Sequence, residues 1–264
     1  MSMPLFAAGD DPGPSFPELL RRTGLAPEPS AAGADAWAAL GVPHATTCVA
    51  LRYADGVVMA GDRRATSGNL ISHRSMEKVM QADSHSGVAI AGAAGPAMEM
   101  IKLFQLQLEH YEKVAGSSIS LEGKANQLSM MVRSNLPAAM QGMIVVPIFA
   151  GYDLLRNTGR LFTYDATGGR YEDQEHIATG SGMLHAGTVV KVGWRSGLDR
   201  EAAVQLACRA LWEAADADSA TGGPDILRGI YPVVAVIDVD GWQRLADDEL
   251  APVFEAITEE VRTR

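Results

Sequence analysis

From residue 46 onward the chain carries regular apolar patterning, and before it there is no strand pattern. Thr47, Val49, Leu51 and Tyr53 alternate with Thr46, Cys48, Ala50 and Arg52, the period-two pattern of a strand. Ala54, Asp55 and Gly56 make a turn and residues 57–61 return, so a hairpin is predicted. Further strands fit residues 88–92, 144–152, 160–165, 171–179 and 231–239. The strands at 160–165 and 171–179 are joined by Ala166-Thr167-Gly168-Gly169, and the last strand ends in an Asp240-Gly241 turn. Helical stripes run through Ala97, Ile101, Phe104, Leu108 and Tyr111, and through Ala125, Leu128, Val132, Leu136 and Ala139, with a break at 116–120. Two more join Val204, Ala207, Leu211 and Ala214, and then Leu250, Phe254, Ile257 and Val261. Hairpins and paired helices without strand–helix alternation predict an α+β fold with antiparallel sheets.

Residues 1–45 are rich in Ala, Pro, Gly and acidic side chains and show no strand pattern. A short amphipathic helix fits 16–23. Two descriptions suit the segment, a disordered tail and a removable propeptide, and composition alone favours the tail. The domain organisation expected is therefore an appendage over 1–45 and one domain over 46–264.

Composition narrows the function classes. Of 264 residues 47% are apolar, enough for a sizeable core. A net charge of -10 repels phosphate backbones and argues against nucleic acid as a partner. Cys48 and Cys208 are the only cysteines, which fits a reducing compartment better than a disulfide framework. No stretch reaches the ~20 apolar residues that span a bilayer. The apolar run at 3–8 meets Asp10 and Asp11, too short and too acidic for a secretory signal. A cytoplasmic protein with no membrane partner is expected.

Several kinds of chemistry lack their motifs. There is no Gly-x-Ser-x-Gly elbow, no His-Glu-x-x-His, no phosphate loop and no Cys-x-x-Cys. The six histidines stand in no metal-ligand spacing, so no metal is expected. Gly180-Ser181-Gly182 resembles part of a phosphate loop but lacks the following Lys, and reads as a strand-to-helix turn. What remains is a set of polar strings: Thr46-Thr47, then Gly61-Asp62-Arg63-Arg64-Ala65-Thr66, Lys78, Ala91-Gly92-Ala93, and residues 216–223. Each alone is an ordinary turn or packing feature.

Taken together, these strings resemble proteasome beta subunits of the actinobacterial type, over roughly residues 46–245. The carriers are Thr46-Thr47, the run from Gly56 to Thr66, Leu108-Glu109-His110-Tyr111-Glu112-Lys113, Ala138-Ala139-Met140-Gln141-Gly142, and Asp218-Ser219-Ala220-Thr221-Gly222-Gly223-Pro224-Asp225. Ser15-Phe16 ahead of Leu19-Leu20-Arg21-Arg22 also looks like that group's propeptides. The resemblance implies the N-terminal-nucleophile hydrolase fold, a four-layer αββα sandwich of two antiparallel sheets flanked by helices. It implies a threonine endopeptidase, made as a precursor that cuts itself between Ala45 and Thr46, with no cofactor.

Residue by residue, Thr46 matches the nucleophile, Lys78 the site lysine and Asp62 its carboxylate partner. Ser181, Asp218 and Thr221 match the groups that orient the terminal amine and a water; many relatives carry Ser at the last position. Gly92 matches the backbone N–H that stabilises the oxyanion, and Thr66 a main-chain partner of extended substrate. Ala65, Met76, Met80, Ile90 and Ala94 match the specificity pocket. Its apolar lining implies preference for apolar residues before the cut, and its methionines imply breadth. The partners implied are copies of this chain in heptameric rings, alpha subunits, a ring ATPase or activator, and polypeptide substrates.

One departure carries a second reading. The family usually has Gly before the catalytic Thr, where this chain has Ala45. Self-cutting needs a tight turn that Gly reaches more cheaply. The alternative is therefore a precursor-locked or structural beta-ring subunit. Other rivals are the simpler bacterial threonine protease that works with an unfoldase ring, and a non-proteolytic amidohydrolase of the same fold.

Overall fold

The computed structural model describes residues 46–67 and 69–263. The segment 1–45, with its expected helix at 16–23, lies outside the described residues.

Two five-stranded antiparallel sheets stack face to face. The first has the order β10-β1-β2-β11-β12, with β1 (Thr47–Tyr53), β2 (Gly56–Gly61), β10 (His176–Gly180), β11 (Val233–Asp238) and β12 (Gly241–Arg244). The second has the order β5-β6-β7-β8-β9, with β5 (Val79–Asp83), β6 (Ser86–Gly92), β7 (Val145–Asp153), β8 (Thr158–Tyr164) and β9 (Arg170–Asp173). A small ribbon of β3 (Ala65–Ser67) and β4 (Leu70–His73) stands beside them. Helices α1 (Ala94–Ala115) and α2 (Leu121–Ser134), followed by the short α3 (Leu136–Ala139), belong to the second sheet's side. Helices α4 (Met183–Gly193), α5 (Arg200–Ala217) and α6 (Asp247–Arg262) belong to the first.

Side-chain alternation explains the layering. Along β1, Val49, Leu51 and Tyr53 pack with Leu211 and Ala214 of α5 and with Phe254 of α6. Cys48 and Ala50 point the other way, into a layer shared with Ile148 and Leu161 of the second sheet. The second sheet repeats the scheme: Val88, Phe149 and Phe162 meet Ile101, Phe104 and Leu128 of α1 and α2. Each sheet thus buries both faces, and its central strands are apolar on both sides. This is the four-layer αββα sandwich of the α+β class.

The helices end where the sequence says they should. Gly116, at φ 70, terminates α1 in the left-handed conformation, as Gly commonly does. Ser120 and Asp199 accept the amides of Gly123 and Ala202 and cap α2 and α5.

One expected element is corrected. Residues 171–179 do not form one strand but two, β9 and β10, which belong to different sheets. The bend falls at Gln174-Glu175, inside a polar run from Glu172 to His176 that carries no mark of a break. Strands β3, β4, β5 and β12 and helix α4 complete the list beyond what patterning predicted.

Candidate active site

Thr46, Asp62, Lys78, Ser181, Asp218 and Thr221 are brought together at one end of the first sheet. Thr47 opens β1 opposite Gly180, the last residue of β10, and Gly61 closes β2 opposite Cys48. Thr46 itself is buried, and its carbonyl accepts the Ser181 amide at 2.8 Å and the Ser181 hydroxyl at 3.4 Å. That close approach requires glycine at 180. Its φ is +96°, and a Cβ there would sit 1.7 Å from the Thr46 oxygen.

Asp62 and Lys78 form an ion pair with Oδ1 and Nζ 2.6 Å apart and neither side chain exposed. Burial of an ion pair is tolerable only when its other hydrogen-bonding sites are filled. Here they are filled largely by backbone. Asp62 accepts the amides of Thr47 at 2.8 Å, Arg64 at 2.9 Å and Gly222 at 2.8 Å. Lys78 donates in addition to the Arg64 carbonyl at 2.5 Å. Four chain segments therefore converge on one carboxylate and fix where the ammonium stands.

Asp218 follows the end of α5 and accepts the hydroxyls of Ser181 and Thr221, both at 2.6 Å, and the Ala220 amide at 3.1 Å. Partial burial pushes its carboxyl up, but these donors, with the charge of His185, outweigh burial and hold it below the usual carboxylate value. Cys48, buried beside the ion pair, has its thiol pushed up to about 12, chiefly by burial, so it stays protonated and unreactive.

Gly92 ends β6 at φ +113, and a Cβ there would meet the Ile144 carbonyl at 2.0 Å, so only glycine fits. Thr66 lies in β3, where the pairing with β4 is irregular between Ala65 and Thr66. Ala65, Met76, Met80 and Ala94 line an open depression of about 650 Å³ together with His73, Ser75, Glu77, Gly95 and Met98. Ile90 does not reach it; that side chain is buried in the core beneath, against which Met76 and Met80 pack.

Sequence reasoning passed over three participants. Thr47 hydrogen-bonds through both its amide and its hydroxyl, and Arg64 and Gly222 contribute backbone groups to the ion pair. No motif flags a backbone contact. Only the adjacency of Thr47 to Thr46, and of Gly222 to Thr221, could have drawn attention to them.

The family model of proteasome subunits matches residues 42–227. The chain belongs to the proteasome subunit family. A proteasome subunit beta of Acidimicrobium ferrooxidans is 55% identical over 264 residues, covering 100% of this chain and 96% of that protein. Beta subunits of Acidothermus cellulolyticus and Streptomyces griseus are 56% and 55% identical, covering 82% and 84% of this chain and 76% and 79% of their own length. These beta-type relatives put the chain in the setting of protein degradation by the proteasome.

Among the described residues no group of three or more His, Cys, Asp or Glu is placed to hold a metal ion, and no helix is long and apolar enough to cross a membrane.

Proposed function

We propose that the chain is a threonine endopeptidase subunit of the proteasome core, made as a precursor and activated by cleavage between Ala45 and Thr46. The observation that carries this reading is a buried, backbone-anchored Lys78–Asp62 pair on the amide of Thr47 together with a Ser181–Asp218–Thr221 hydroxyl cluster that reaches the carbonyl of Thr46 through Ser181.

A threonine hydroxyl needs a base to become a nucleophile. While residue 45 is attached, the Thr46 nitrogen is an amide and cannot serve. Removing residues 1–45 leaves an α-amine with an ordinary pKa near ~8, suited to accept that proton at neutral pH. Lys78 supplies positive charge that favours the developing alkoxide. Ser181, Asp218 and Thr221 orient the amine and a water that relays its proton. The hydroxyl oxygen attacks the substrate carbonyl, and the Gly92 N–H stabilises the oxyanion that forms. Expulsion of the leaving amine, which takes up a proton, gives an acyl-enzyme that water hydrolyses.

Substrate lies extended along Thr66, held by main-chain hydrogen bonds that are indifferent to sequence. The depression between Met76 and Met80 favours an apolar side chain before the cut. Such broad specificity suits a chamber in which admission selects the substrate. The chain would form heptameric beta rings, two stacked and capped by alpha rings, served by a ring ATPase or activator in the cytoplasm.

The deciding experiment is the intact mass of the chain after co-assembly with alpha subunits, joined to cleavage of a fluorogenic apolar peptide. Loss of residues 1–45 with activity blocked by a reagent selective for N-terminal threonine is expected. An unchanged mass in an assembled particle favours the second reading, a precursor locked by Ala45, and overturns this one.

A further inference from the structure

Thr47 has no part in the mechanism above, yet it touches the hydrogen-bonding of both acidic groups. It is fully buried. Its amide donates to Asp62 at 2.8 Å, and its hydroxyl lies 2.6 Å from the Thr221 hydroxyl and accepts the Gly182 amide at 2.9 Å.

The direction of each proton follows from valence. An ionised carboxylate only accepts, so Thr221, 2.6 Å from Asp218 Oδ2, gives its single proton there. The proton between the two threonines must then come from Thr47. Thr47 in turn takes the Gly182 N–H. A one-way series results, from the Gly182 amide through Thr47 and Thr221 to Asp218, whose Oδ2 also accepts the Ser181 hydroxyl at 2.6 Å. Hydrogen bonds in such a series polarise one another and strengthen the last link. Glycine at 182 is part of the device, since a Cβ would stand 2.6 Å from the Thr47 hydroxyl oxygen and 2.7 Å from that of Thr221.

We propose that Thr47 is a positioning residue for the peptidase reaction. Its hydroxyl fixes the Asp218 carboxylate through Thr221 while its amide holds Asp62, so that both acids are referenced to the residue bonded to the nucleophile. The inference rests on the reading of Thr46 as nucleophile. Asp218 also feels His185 of α4, Asp216 lies two residues before it in sequence, and the Arg64 guanidinium binds the Ser219 carbonyl of the same loop. None of these groups is altered by a change at Thr47. Loss of the Thr47 proton weakens the Thr221 donation and lets Asp218 protonate at higher pH.

The test uses the full chain co-assembled with alpha subunits, with processing of each variant checked by intact mass. Thr47→Val should lower kcat about ten-fold with KM within about two-fold, the scale of one buried hydrogen bond. It should also move the acidic limb of the pH–rate profile upward. Thr47→Ser should restore both to within about two-fold of wild type. Added to Thr221→Val, Thr47→Val should displace the limb no further, because Thr47 acts through Thr221. An unchanged limb in Thr47→Val, a Thr47→Ser limb displaced like that of Thr47→Val, or additive displacement in the double variant overturns the proposal. Should Thr47→Val not assemble, Thr47→Ala, which removes the same hydroxyl without new bulk, carries the same expectations. Failure of the nucleophile reading is distinct: the wild type itself would then keep residues 1–45 or resist the threonine-selective reagent.

Discussion

Lys78 and Arg160 are both buried cations held by carboxylates, but they are held in different ways. Arg160 spends its guanidinium on side chains: Glu172 at 2.7 and 2.6 Å, Glu122 at 2.6 Å and Asp153 at 3.1 Å, with the Phe162 ring 4.9 Å below. Arg170 adds a second cation on Glu122 at 2.5 Å. Glu122 comes from α2, Glu172 from β9 and Asp153 from the end of β7, so the cluster fastens a helix to the second sheet. Its glutamates are partly open to water, 40% and 32% exposed, and can rehydrate if the arginine is lost. Lys78 pairs with the Asp62 carboxylate, which also accepts three backbone amides. Neither side chain of that pair reaches solvent. A clamp of side chains can repack around a gap; one of backbone cannot. Fixed position is what the role proposed for Lys78 needs.

The sharpest way to break this contrast is to remove each cation. Lys78→Met should abolish peptide hydrolysis by at least about a thousand-fold, and strand Asp62 at a cost of about 3–5 kcal/mol in chemical unfolding. Arg160→Met should keep hydrolysis within about two-fold and cost about 1–3 kcal/mol, because its two glutamate partners can turn to water. Equal losses of activity in the two variants would dissolve the distinction. Gly180→Ala should come next, lowering stability by about 2–3 kcal/mol through strain at positive φ and reducing activity with it, since the new Cβ displaces the Thr46 carbonyl. Activity at the wild-type level in Gly180→Ala would mean that the Thr46 carbonyl need not be fixed.

The smallest effect is in acid. Glu122 and Glu172 are held below their ordinary value of 4.5, foremost by hydrogen bonds from Arg160. A depressed folded-state value stabilises fully above the unfolded value and is lost as pH falls through the folded one. Melting temperature should therefore fall more steeply below pH 4.5 in wild type than in Arg160→Met. Parallel curves would show that the cluster is not linked to acid stability.

Much of the sandwich was legible because its central strands and long helices carry uniform apolar faces, as in Val49-Leu51-Tyr53 or Ile101-Phe104-Leu108. Helix α4 escaped because only Ala186 and Val190 are buried along it, too few for a stripe. Strand β5 escaped because Val79 and Ala82 are separated by the half-buried Met80 and exposed Gln81. The split between β9 and β10 escaped because nothing local distinguishes a bend from a continuing strand. At the site, the polar strings were visible but mute individually. Resemblance to a family supplied Thr46, Asp62, Lys78, Ser181, Asp218 and Thr221 as a set. Thr47 stayed hidden because its partner, Thr221, lies 174 residues away and is met only after folding. Ile90 lies beneath the depression, in the core against which Met76 and Met80 pack, and only its burial shows that it has no opening there.

The switch of sheets between β9 and β10 has a further consequence. Residues 170–180 form a stitch that begins in one sheet and ends in the other, and its last residue, Gly180, sits against the Thr46 carbonyl. Neither sheet can slide or peel from its mate without dragging that stitch. The sandwich should therefore melt in a single step, and any disturbance large enough to part its leaves should also dismantle the site at its rim.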